Sequence, residues 1–195
     1  MPQTRTRPLD RIDAAVLLVA AAVAGPLAVR NDREAAGIFT PDSVEWIGRV
    51  GPPERQRALL GVHRLGLDLA LMLAIVTLGL GLIACRRPRP FRPGRWPTPG
   101  VAAIAVAAPA TAVKLAGAVA RLSESGYRIH RGHAVFYTFI GSSSFPKSAV
   151  LGAWAVLLVA GRWRREAGWI GRAGLVLGWA WLATFACDLF QAAFW

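Results

Sequence analysis

Three ionisable residues stand inside long apolar stretches of this sequence: Asp68, Lys114 and Asp188. A charge buried in such a stretch is costly, so it is expected to turn inward, toward a partner or a polar function. At ~1.5 Å of rise per residue, Asp68 lies about ten residues in from the start of its stretch, while Lys114 and Asp188 each lie about seven from the end of theirs. The three therefore fall at similar depth toward one side, where a carboxylate can neutralise Lys114 as a structural ion pair. Two other readings stand beside that one: a polar pocket open to the same side, and a lysine whose stem snorkels to the headgroups.

The remaining chemistry-bearing types are sparse. His130 and His133 have the HxxH spacing that can share a metal on one helical turn, but no Cys, Asp or Glu lies beside them as a third ligand and Arg131 sits between them. With His63 they read as loop or helix-end histidines on one side, so neither a metal nor another cofactor is expected. Cys85 and Cys187 form no CxxC pair, which leaves no disulfide framework and no zinc knuckle. The run Gly141-Ser142-Ser143-Ser144-Phe145-Pro146-Lys147-Ser148 has the look of a phosphate loop. It fails because Pro146 has no N–H to offer a phosphate and no strand precedes the run.

The elements that must position these residues follow from hydropathy. Hydrophobic residues make up 54% of the 195 and charged residues only 17%. That balance lies on the apolar side of ordinary globular composition. Five stretches approach the ~20 residues that a helix needs to cross a bilayer: 12–29, 59–85, 101–120, 145–161 and 169–195. The first has arginines before it and Ala22-Val23-Ala24 within it, the layout of a cleavable signal. Asp10 and Asp13 in its leader and the length of its apolar run favour a retained helix. The segment 30–58 carries mixed charge. Thr40-Pro41-Asp42 reads as a helix start and Val44, Ile47 and Val50 follow at helical spacing, so it is either a short helix on the outer surface or an ordinary loop. The expected fold is an all-α polytopic membrane helix bundle of five transmembrane helices in a single domain.

The formal charge is +12, from 23 Lys+Arg against 11 Asp+Glu. In a soluble domain this would suggest nucleic acid. Here the arginines crowd into short connectors, so the expected partner is the bilayer and its anionic headgroups, with nucleic acid excluded. The N-terminal tail, the loop 86–95 and the turn 162–165 are arginine-dense. Alternating spans put all three on one side, which sets the N-terminus inside. Trp96, Trp163 and Trp169 flank the inner boundary, and Trp46 and Trp195 the outer one, as interfacial belts do. Gly174 and Gly178 form a GxxxG on the last stretch, which suits close helix packing within the chain or in a homo- or hetero-oligomer.

One family pattern fits this topology. Lys114 is followed by six residues and Arg121; Phe145-Pro146-Lys147-Ser148-Ala149 opens the fourth stretch; and Ala183-Thr184-Phe185-Ala186-Cys187-Asp188 closes the fifth. From Val113 onward this resembles the membrane type-2 phosphatidic acid phosphatase superfamily. Its first motif is a lysine, six residues and Arg-Pro, its second is Pro-Ser-Gly-His, and its third brings Ser-Arg, a histidine and an aspartate. The resemblance implies an anion seat at Lys114 and Arg121. It departs from the family where Leu122 replaces the proline, where Ala149 replaces the acid histidine, and where no histidine follows His133. The sixth helix is also missing. A phosphohistidine route cannot run on these residues.

The functional expectation is therefore a multi-pass cell-membrane protein without a complete catalytic set. It is either a degenerate phosphatase-like protein that binds an anionic lipid head or a structural or interaction subunit. Two alternatives remain open: a lipid-phosphate hydrolase that uses residues outside the family pattern, such as His130 or His133, and a small transporter or channel built by oligomerisation.

Overall fold

The computed structural model describes residues 9–38, 52–86, 96–124, 144–166 and 168–193, and they fold as an all-α bundle. Five helices are described: α1 (Arg11–Ile38), α2 (Pro53–Arg86), α3 (Pro99–Glu124), α4 (Ser144–Val159) and α5 (Trp169–Ala192). Three of them contain runs long and apolar enough to cross a membrane, at Asp68–Arg86, Pro99–Gly117 and Trp169–Phe190. The apolar run of α4, Phe145–Val159, is shorter. The surface-helix reading at 40–50, the basic loop 87–95, His130 and His133 lie outside the described residues, as do Trp46 and Trp195.

Helix ends are set by capping groups rather than by where apolar residues stop. Asp10 and Asp13 form a reciprocal box at the start of α1: the Asp13 N–H donates to Asp10 Oδ1 at 2.8 Å and the Asp10 N–H to Asp13 Oδ2 at 3.5 Å. The two acids thus begin the helix. α1 then runs past the apolar stretch to Ile38, because nothing in Arg30–Glu34 breaks a helix. α2 likewise begins at Pro53, six residues before its apolar run, with Pro52 O accepting from Arg55 N at 3.0 Å and from Gln56 N at 3.2 Å. At α3, Thr98 O accepts from Ala102 N at 2.8 Å, with Pro99 in the first helical position that tolerates a missing N–H.

α4 closes with a Schellman motif. Arg162 N donates to Leu157 O at 2.8 Å and Gly161 N to Leu158 O at 3.0 Å, with Gly161 left-handed at φ 61°. A side chain is strained in that conformation. We expect Gly161→Ala to lower the unfolding free energy by about 1 kcal/mol, read as a shifted midpoint in a detergent-to-SDS titration.

α3 and α5 run parallel, and α2 and α4 run against them. α1 packs along α2, where Ala20 and Val16 lie against Gly79. The core is Ala70, Leu80, Ala84, Ala103, Ile104, Ala107, Val150, Trp154, Leu177 and Trp181. Its two indoles are satisfied. Trp154 Nε1 donates to Pro99 O at 2.9 Å, and Trp181 Nε1 donates to Thr77 Oγ1 at 3.0 Å.

Small residues set the helix spacing. Gly100 lies against the backbone of Gly171 and Leu175, Gly174 against the Gly100 carbonyl, and Gly178 against the Trp154 ring and Ala103. The GxxxG face of α5 is therefore spent on α3 and α4 within the chain. Gly81 meets Ala108 in the same way, where an added Cβ would stand 2.7 Å from the Ala108 Cβ.

Candidate functional site

The bundle has two polar ends. The arginine end gathers the start of α1, the end of α2, the start of α3, the end of α4 and the start of α5. The lysine end gathers the opposite termini. The contacts that fix this order are Gly100 with Gly174, Ala103 with Gly178, Gly66 with Cys187, and Ala20 with Gly79.

At the lysine end, Lys147 on the first turn of α4 is buried, its side chain 2% exposed, and its Nζ donates to Asp188 Oδ2 at 2.6 Å. The Asp188 side chain is 45% exposed. Each charge sits at the helix end that disfavours it: a cation at the positive start of α4, and an anion near the negative end of α5. Pairing offsets both, and it also satisfies an ammonium that burial would otherwise leave without solvation.

The sequence offers Asp68 and Asp188 as counter-charges for Lys114; Asp188 closes on Lys147. Lys114 and Asp68 are both half-buried. Lys114 precedes Leu115, which packs against the Leu71–Ala74 cluster of α2, and Asp68 stands one turn before Leu71. Both thus lie beside the same α2–α3 contact. Gly100 faces Gly174 and Ala103 faces Gly178; continuing the two parallel helices at equal rise brings Lys114 level with Asp188. Arg121 lies two turns beyond Lys114 on α3, and its side chain is outside the described residues.

No family model, curated protein or solved structure matches this chain. The site must therefore be judged on its own geometry. The described residues contain no group of three His, Cys, Asp or Glu side chains able to hold a metal. Cys85 and Cys187 are free thiols, one at the end of α2 and the other near the end of α5.

Two residues that sequence reasoning passed over proved to be organising. Lys147 was hidden in a Pro-Lys-Ser cluster that resembles a loop, although proline in a first turn is compatible with a helix start. Glu166 is the other, the only acid between Lys147 and Asp188 in sequence. Its Oε2 accepts from Thr98 Oγ1 at 2.5 Å and its Oε1 from the Gly100 N–H at 2.5 Å. A carboxylate from the α4–α5 connector thus caps the positive start of α3. Being the lone acid in an arginine turn was its available signal.

Proposed function

We propose that this chain is a non-catalytic multi-pass membrane protein of five spans, with the arginine end inside, and that it seats the phosphate of an anionic lipid head at Lys114 and Arg121. Its side chains support a lipid surround. Large apolar groups point outward along the helices, with Val159 91% and Val176 69% exposed, which is unfavourable in water and favourable in lipid. Arg11, Arg86, Arg162, Arg164, Arg165 and Arg172 stand at the arginine end, while Arg55 and Arg57 stand at the start of α2 at the other; the density of the 162–165 connector is what favours the arginine end as the cytoplasmic face.

The observation that carries the functional part is the Lys147–Asp188 ion pair at 2.6 Å. Its two residues stand in the segments that resemble the second and third motifs of the type-2 phosphatidic acid phosphatases. Neither segment holds the family's histidine, and an ion pair closes between them instead. A pair locked to itself cannot cycle through a phosphoryl intermediate, but it can brace the wall beside the Lys114–Arg121 face. Those two cations, seven residues apart on α3, supply the charge-assisted hydrogen bonds that a phosphate takes.

The test is phosphatidic acid binding by the detergent-solubilised chain, with phosphate release followed in parallel. Lys114→Ala and Arg121→Ala are each expected to weaken binding about tenfold, the size of one charged hydrogen bond, with no phosphate released by any variant. Equal binding by all three proteins would remove the seat, and steady turnover would replace it with a hydrolase.

A further inference from the structure

The arginine end carries a second surface, which the Lys114–Arg121 seat does not use. Residues 160–168 join α4 to α5, and Arg162, Trp163, Arg164 and Arg165 are all exposed, as is Arg172 on the first turn of α5. The connector is nevertheless held at three points. Gly161 and Arg162 close the Schellman bonds on Leu158 and Leu157. The Trp163 ring packs edge-on against Trp154, with centroids 5.4 Å apart at 78°. Glu166 is tied to Thr98 and Gly100. The acids described at this end are engaged: Glu166 on the start of α3, and Asp10 and Asp13 on each other at the start of α1. The arginines are left facing outward from a fixed backbone.

We propose that this connector is a built headgroup site for anionic phospholipid in the leaflet at the arginine end. Arg162, Arg164, Arg165 and Arg172 take the phosphate, and Trp163 and Trp96 lie at the interface. Four guanidiniums within eleven residues of chain present forks that match phosphate oxygens, and both indoles are exposed where a belt residue belongs. A connector fixed at three points loses little freedom on binding, so the charge converts efficiently into affinity. The ligand is a lipid rather than free phosphate because the site adjoins the apolar flanks of α4 and α5, where acyl chains would lie. This inference rests on the membrane reading above and is independent of the Lys114–Arg121 seat.

Native mass spectrometry of the full chain in dodecylmaltoside, titrated with phosphatidylglycerol, phosphatidylcholine or glycerol 1-phosphate, tests it. Bound phosphatidylglycerol is expected, with phosphatidylcholine and glycerol 1-phosphate much weaker. The triple variant Arg162→Gln, Arg164→Gln, Arg165→Gln should lose about a hundredfold in affinity at this site, taking ~1 kcal/mol per surface arginine. The matching triple lysine variant should recover most of that loss. The Lys114→Ala/Arg121→Ala double variant separates the two ends: it removes only the other seat and leaves this one bound. Wild-type phosphatidylglycerol affinity in the triple glutamine variant overturns the proposal, as does glycerol 1-phosphate binding as tightly as the lipid.

Discussion

Asp188→Ala will destabilise the bundle by about 3–5 kcal/mol, and Lys147→Met will cost far less. The asymmetry follows from exposure. Lys147 is buried at 2% while Asp188 is 45% exposed. Removing the aspartate strands an ammonium among α3, α4 and α5 with neither water nor a counter-charge, whereas removing the lysine leaves a carboxylate that can be hydrated at the bundle end. Methionine also matches the lysine stem closely in length and volume. The double variant Lys147→Met/Asp188→Leu should return to within about 1 kcal/mol of wild type, because it deletes the desolvation cost together with the attraction. Unfolding of the four proteins by SDS titration from dodecylmaltoside closes the cycle. If the two single variants lose equal and small amounts, the pair is not what fixes α4 to α5.

That pair also marks the limit of what the sequence reveals. Apolar length locates α2, α3 and α5, because the cost of exposing backbone and apolar side chains scales with the run itself. It does not locate helix ends: α1 reaches Ile38 and α2 starts at Pro53, well outside the apolar runs, since caps and helix formers decide termini. Depth counting puts Lys114 and Asp188 at one height, and the α3–α5 register agrees. It cannot bring Lys147 forward as the partner of Asp188, because that choice depends on which helix stands beside α5 at that turn. Glu166 is hidden for a related reason. A loop carboxylate that caps another helix 66 residues earlier, at Gly100, leaves no local pattern. The GxxxG was visible as a motif, but its partner Gly100 sits at a helix start beside Pro99 and resembles a turn.

The second large effect concerns that glycine. Gly100→Ala is expected to cost at least about 3 kcal/mol, the upper range for overpacking a close-packed site. An added Cβ there would run into the Gly171 carbonyl and the Leu175 backbone nitrogen, and neither is the tip of a side chain that can swing away. Relief requires α3 and α5 to separate, and separation pulls apart more than the crossing. The Gly100 N–H would leave Glu166, and Trp154 would lose Pro99 O. Gly178→Ala makes a useful comparison. Its Cβ would meet the edge of the Trp154 indole and, at 3.2 Å, the Ala103 Cβ; the obstacle is side chain rather than backbone, so its cost should fall below that of Gly100→Ala, at about 1–3 kcal/mol. Gly152, which has nothing within 4 Å, should accept alanine with a gain of up to about 1 kcal/mol from helix propensity. The order Gly100, Gly178, Gly152 in SDS unfolding midpoints is thus a direct reading of the α3–α5 crossing. If Gly100→Ala melted like Gly152→Ala, the two helices could not be packed backbone to backbone, and the register that sets Lys114 level with Asp188 would fall with them.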